Sequence, residues 1–289
     1  PRAAAAGDND INLSRFADFT VTGQDMEGNV TGAVQDDDRE TDDFEALVSD
    51  MGQVVAPKFA SPASTLGQAG FSVQIIPSLS FIPEDATHWR RAMEGNQVPR
   101  ENGEIVEEDI EGDNPPSALF TPTIMIRKGL PYSFEFGASF SHIAGSNMFT
   151  LGSQIQWALN EGFKYFPDVS VRGTVNTLMG SRDLNLITAG GDITVSKGFD
   201  LGGVMSIAPY AGYQRLYAIG WSRLLNARPQ DPRSPSEDFN PEFVFSTHVD
   251  AVNRGFLGVD LNVGIVAIAL ECAVSESVQQ LTLSTGLNF

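Results

Sequence analysis

Residues Gln279 to Phe289 read QQLTLSTGLNF. Leu281, Leu283, Thr285, Leu287 and Phe289 fall on one face of a strand, and Gln280, Thr282, Ser284, Gly286 and Asn288 on the other. A strand alternates its side chains with period two, so the stretch has one oily and one polar face. It ends on an aromatic residue.

The same pattern recurs upstream, in nine further stretches. Phe71, Val73, Ile75, Pro77, Leu79 and Phe81 alternate with Ser and Gln, and Pro77 predicts a bulge or a weakly paired site. A second strand is expected near 118–128. Tyr132, Phe134, Phe136, Ala138 and Phe140 alternate with Ser133, Glu135, Gly137, Ser139 and Ser141. Further strands are expected near 148–159, 169–179, 187–195, 201–216, 243–251 and 257–265. Two long links, 83–116 and 217–240, follow the first and seventh strands, and short links follow the second and sixth. The two long links and the chain's start carry most of the prolines and acids.

Which residues occupy the oily face decides between a soluble and a membrane barrel. That face is Phe, Val, Leu, Ile and Ala throughout, and the strands hold almost no Lys. A soluble barrel buries its oily face and wets the other with Lys and Glu. In lipid the oily face points outward, and closure pairs every backbone group. The chain has 28 Gly and 19 Phe against 18 Lys plus Arg, a balance that suits a barrel better than a soluble α/β enzyme. No apolar run reaches the roughly 18 residues of a spanning helix.

The closing stretch resembles the C-terminal signal of bacterial outer-membrane β-barrel proteins. Thr282, Leu287 and Phe289 match its positions, and Ser284 stands where that signal usually has Gly. The resemblance implies an all-β fold: a transmembrane antiparallel up-and-down barrel of about ten strands over residues 68–289. It implies an outer-membrane location, and the initial Pro is read as the mark of a removed signal peptide. It also implies recognition by the barrel assembly machinery through Leu287 and Phe289, and a bilayer around the barrel. Phe289 is expected beside the start of the first strand, near Phe71.

Before the barrel, residues 1–60 are expected to form an acidic periplasmic extension, disordered or extended over 1–40. Phe44, Leu47, Val48, Met51, Val54 and Val55 recur at helical spacing over 42–55, and Pro57 stops the helix. That helix either packs at the base or in the mouth of the barrel, or docks a protein partner; the first reading is preferred. Stretches 1–57 and 83–116 carry almost all of the −19 net charge. This excludes nucleic acid as a partner, because phosphate binding needs basic patches. Calcium is a minor alternative for the acidic stretches. Asp8, Asp10 and Asn12 begin like a calcium loop, but the sixth position is Leu13 instead of Gly.

The polar face predicts a lumen lined by Glu135, Arg172, Asp192, His248, Asp250 and Asp260. Buried charges pair, so a mutually satisfied network is expected, with a narrow cation path as the alternative. Trp157, Tyr165, Trp221 and Phe289 are expected at the membrane interfaces. Catalysis is not expected. His248 with Asp250 resembles half of an omptin site but lies away from the outer rim. His142, Ser146 and Asn147 resemble a lipid A deacylase pair but have the wrong spacing. No cofactor or metal signature is present, and Cys272 has no evident activating base. The expected function is a structural anchor or scaffold that binds partners through its loops and N-terminal region. The alternative is a porin-like channel for ions or small solutes.

Overall fold

The computed structural model describes residues 7–16, 19–24, 30–35, 41–83, 86–93, 100–101, 104–105, 116–226 and 242–289. Ten long strands form one sheet: β1 (Phe71–Phe81), β2 (Ala118–Leu130), β3 (Phe134–His142), β4 (Phe149–Asn160), β5 (Asp168–Met179), β6 (Leu184–Ser196), β7 (Met205–Ser222), β8 (His248–Val263), β9 (Val266–Val274) and β10 (Gln279–Asn288). Each pairs antiparallel with its chain neighbour, and β10 returns to pair with β1. The sheet is thereby a closed cylinder with no free edge. Among the described residues two α-helices accompany it, α1 (Thr41–Val54) and α2 (Thr87–Ala92). No helix among the described residues is long and apolar enough to cross a membrane.

Alternation sets what each face meets. On β10, Leu281, Leu283 and Leu287 are about two-fifths exposed, whereas Gln280, Thr282 and Ser284 are buried. The same holds round the wall: Ile75, Ile124, Phe136, Ile155, Ile193 and Leu270 point outward and are exposed. An outer belt of large apolar side chains on a closed sheet is the solution lipid demands. The fold is therefore a transmembrane antiparallel β-barrel.

The count of ten strands agrees with the sequence pattern, but boundaries in its last third do not. The stretches near 243–251 and 257–265 are not separate strands. Residues His248–Val263 form one long strand, and Gly264 with Ile265 turns the chain into β9. Gly264 has φ 59°, a left-handed conformation that suits a residue without a Cβ. Phe243 and Phe245, expected on the lipid face, are buried inside the mouth. Likewise β7 runs on to Ser222, so Tyr217 and Trp221 belong to the wall and not to a link.

Pro77 weakens pairing without bulging. It faces Pro122 across β1 and β2, and the β1–β10 ladder skips Ile76 and Pro77 while keeping its register on both sides. The link 83–116 is not wholly irregular, for it contains α2, whose Trp89 is fully buried.

The two ends of the cylinder differ. One end carries the short turns, the entry to β1 and Phe289. The other carries the links 82–117 and 223–247. The expectation put residues 1–60 on the periplasmic side, with the C-terminus, and called 1–40 disordered or extended. Residues 7–16 and α1 lie at the opposite end, and residues 11–16 are packed there. Asn9 donates its N–H to the Gly145 carbonyl at 3.0 Å, and Leu13 donates its own to Asp183 at 2.9 Å. Gly145 and Asp183 belong to links at the long-link end. Leu13 and Phe16 are fully buried there, in a 3-10 turn.

Candidate functional site: a lumen filled by the N-terminal segment

Helix α1 is amphipathic because its apolar residues recur every three or four positions. Its oily face is covered by the barrel's own mouth. Phe44, Leu47, Val48, Met51 and Val54 are buried among Leu184, Leu186, Ala218, Phe243, Phe245 and Val278. Phe44 stacks on Phe245 with ring centroids 4.4 Å apart. The helix approaches the wall closely at Gly52 and Gly220. A Cβ on Gly52 would meet the Ala218 Cβ at 2.4 Å, and one on Gly220 would meet Val48 at 2.5 Å. No apolar face of this helix remains for a docked partner.

Polar contacts fix the same helix. Asp50 accepts hydrogen bonds from Trp89 Nε1 at 3.0 Å and from Ser277, and it bonds His88 Nε2 at 2.9 Å. Burial pushes its carboxyl up, but the bonds from His88, Ser277 and Trp89 outweigh this and hold it below the usual carboxylate range. The carboxylate stands between Ser277 and His88, so the imidazole is not placed to activate that hydroxyl.

Beyond α1 the chain runs down the lumen to reach β1 at the far end. The Val55 carbonyl accepts from Asn176 Nδ2 at 2.7 Å, near the long-link end of β5. Phe59 packs on Ile76 and Met125 and carries the Arg172 guanidinium 4.0 Å over its ring. Ser61 accepts from Arg172 Nη1 at 3.2 Å. The Ala63 carbonyl accepts from Gln156 Nε2 at 3.0 Å, and the Ala63 N–H donates to Ser196 Oγ at 3.0 Å. Thr65 donates its N–H to Glu161 at 2.8 Å, and Leu66 donates to Glu135 at 3.1 Å. Gly129 and Gly70 then seat the chain at the turn end.

Four of the six residues expected in the lumen are buried inside it: Glu135, Arg172, Asp192 and Asp260. Arg172 Nε lies 3.0 Å from Asp192 Oδ2. Glu135 accepts from Arg127 Nη1 at 3.1 Å as well as from Leu66. Asp260 accepts from Asn262 Nδ2. His248 and Asp250 face inward but sit at the mouth, half-buried, and His248 Nδ1 pairs with Glu45 of α1 at 3.1 Å.

The sequence pattern missed Lys58, Arg127, Arg254, Tyr210 and Glu271. Lys58 donates to the Val54 carbonyl, Arg254 to Gln280, and Tyr210 to Glu271 at 3.1 Å. Arg254 and Glu271 were hidden by the misplaced strand boundary; once 248–263 is one strand, parity turns Arg254 inward. Lys58, Arg127, Arg172 and Arg254 then balance Glu135, Asp192, Asp260 and Glu271, and none is more than 5% exposed. In the described lumen four cations thus stand against four acids.

The other candidate groups are apart. His142 Nδ1 bonds the Met148 carbonyl at 3.1 Å, and Ser146 Oγ donates to the Ile143 carbonyl at 2.8 Å, so both serve the loop backbone. Asp10 accepts from Gly7 and from Asn147 N and Nδ2. Among the described residues no group of three or more His, Cys, Asp or Glu could hold a metal. Cys272 faces outward on β9.

Trp157 is half-exposed at the turn end and stacks on Phe134 at 5.6 Å, and Tyr165 and Phe289 are exposed at that same end. Trp221 lies on the outer face at the long-link end of β7.

No family model matches the sequence, and no characterised protein matches it. Solved structures similar to it include Ail, the attachment invasion locus protein of Yersinia pestis, at 12% identity and TM-score 0.28, over 77% of this chain and 99% of that one. The translocator domain of the autotransporter NalP from Neisseria meningitidis is 9% identical with TM-score 0.33, over 86% and 95%. The β domain of the Bordetella autotransporter BrkA is 10% identical with TM-score 0.32, over 77% and 99%. Likeness at this level assigns the chain neither a family nor an activity. By its own geometry the chain is a ten-stranded transmembrane β-barrel of the outer-membrane type, closed by its last strand on its first and filled by its own N-terminal segment.

Proposed function

We propose that this barrel is a membrane anchor that holds its N-terminal region on the long-link face while its lumen stays sealed. The observation that carries the reading is the path of residues 55–70. Residues 7–16 and α1 are at one end and the entry to β1 is at the other, so the chain between them threads the cylinder. A thread bonded to Asn176, Arg172, Gln156, Ser196, Glu161 and Glu135 in turn is held along its length. The partner of such an anchor meets the acidic link 83–116 and the N-terminal residues, and not the apolar face of α1. Against the channel alternative stands the same thread, which occupies the lumen of a ten-stranded cylinder, a size that side chains largely fill.

Thiol labelling in cells tests the reading. In a Cys272→Ser background, Asn9→Cys and Ile265→Cys are exposed in turn to a membrane-impermeant maleimide in intact Gram-negative cells. Labelling of position 9 in intact cells, and of position 265 only after permeabilisation, supports display on the outer surface. Labelling of 265 alone in intact cells contradicts it.

A further inference from the structure

The outer wall carries one charged side chain away from a strand end. Among the outward positions of the ten strands there is no acid, and Arg215 is the only cation away from a strand end; Lys128 sits at the turn end and donates to the Ala69 and Gly70 carbonyls. Arg215 is exposed, yet its geometry is fixed. Its Nη1 donates to Asn253 Oδ1 at 2.7 Å, directly across the β7–β8 ladder. Tyr213 donates its hydroxyl to the same oxygen at 2.6 Å. On the other flank the guanidinium carbon lies 5.8 Å from the Tyr217 ring centre.

The neighbouring surface is bare. Arg215 faces Gly191 of β6, and Gly191 faces Gly173 of β5. A Cβ on Gly191 would meet only the Arg172 carbonyl oxygen, at 3.5 Å, and one on Gly173 only Ile155, at 3.8 Å. Both sites open outward, so a shallow side-chain-free depression adjoins the guanidinium.

Register gives the height of the group. The row of paired residues from Arg215 passes Gly191, Gly173, Ile155, Phe136 and Lys128 to Phe71 at the turn end. Six strand steps of about 4.8 Å, inclined by roughly 40°, put Arg215 about 18 Å above Phe71, in the upper part of a belt about 25 Å tall. In the other direction the row climbs past Asn253 to a level beyond Val274, where β9 stops. An arginine reaches the headgroup boundary from there.

We propose that Arg215, Asn253, Tyr213 and Tyr217, with the Gly173–Gly191 depression beside them, form a binding site for the phosphate of an anionic lipid in the leaflet on the long-link side. A guanidinium in hydrocarbon is costly at the midplane of a barrel wall, and the cost falls toward the interface. Asn253 occupies one of the five guanidinium donors and orients the planar fork, which matches a phosphate bidentately. The tyrosines supply an amphipathic rim, and the depression receives the start of an acyl chain.

Native mass spectrometry of the full chain in zwitterionic micelles, titrated with phosphatidic acid, tests the site. Wild type is expected to retain one phosphatidic acid, and Arg215→Gln to weaken retention roughly tenfold, the scale of a charge-assisted bidentate contact. Arg215→Lys should fall between them, because a point charge lacks the fork. Gly191→Leu, which fills the depression and leaves the charge, should also weaken retention, and Lys128→Gln should not. Unchanged heat-modifiable migration in detergent gels shows that each variant is folded. Equal retention by wild type and Arg215→Gln overturns the proposal. Displacement of the lipid by millimolar inorganic phosphate overturns the lipid assignment in favour of a free phosphate site.

Discussion

Phe71 and Phe289 exchange both backbone hydrogen bonds: Phe289 N–H to the Phe71 carbonyl at 2.8 Å, and Phe71 N–H to the Phe289 carbonyl at 3.0 Å. This rung begins the seam of the cylinder. It continues through Leu287 opposite Val73 and Thr285 opposite Ile75, loosens beside Pro77, and resumes at Thr282 opposite Ser78. Because the middle of the seam is thinly bonded, its end carries more of the closure. Deleting Asn288 and Phe289 is expected to lower the yield of heat-modifiable barrel, whereas Phe289→Leu, which keeps both backbone bonds, should lower it less.

Close approach of α1 to the wall predicts how to unseat it. Gly52→Leu puts a branched side chain where the Ala218 Cβ leaves 2.4 Å. Ala218 belongs to a hydrogen-bonded wall that cannot retreat, so the helix must leave. The variant should keep its heat-modifiable migration yet lose protection of residues 41–66 from protease. Gly198→Leu, at a turn with open space, should change neither.

Within the lumen, the Arg172–Asp192 pair predicts a non-additive cycle. Arg172→Met strands a buried carboxylate and should cost about 3–5 kcal/mol, read from urea unfolding in detergent. Arg172→Met with Asp192→Leu removes both charges and should recover most of that loss. Equal costs for the single and double variants would argue against a dry pair.

Acid should loosen the plug before the barrel. The Asp50 carboxyl is held below its ordinary range by His88, Ser277 and Trp89 against the push of burial. A lowered folded-state value means that its stabilisation is present above the ordinary carboxylate range. It is lost as pH falls through the lowered value. Protease protection of residues 41–66 should therefore decline at acid pH while the barrel's gel mobility persists. In Asp50→Asn that acid step should be absent, with protection lower at neutral pH.

The wall was legible because lipid and backbone closure act on every strand alike. Leu281, Phe136 and Ile155 each declare their face by parity alone. The strand boundary at Gly264 was not legible, because Asn262, Val263, Ile265 and Val266 continue an apolar-rich run through the turn, and only pairing with β9 distinguishes them. Lumen residues followed parity for Glu135, Arg172 and Asp192, and for Asp260 although its strand was misplaced, whereas Arg254 and Glu271 were lost with the wrong boundary. In the N-terminal segment, helical spacing anticipates the cover that Phe44, Leu47 and Met51 find in the mouth, but nothing local signals that Phe59 and Ser61 find partners on strands more than a dozen residues away. Which end of a cylinder a segment enters from depends on long-range contacts that local periodicity does not encode.

The threaded lumen can be tested by one covalent measurement. The Ala63 N–H and Ser196 Oγ are hydrogen-bonded at 3.0 Å inside the cylinder. In a Cys272→Ser background, Ala63→Cys with Ser196→Cys should oxidise to an intramolecular disulfide in the folded, membrane-inserted protein, with a shifted mobility on non-reducing gels. Two free thiols in a barrel that is otherwise folded would contradict the account.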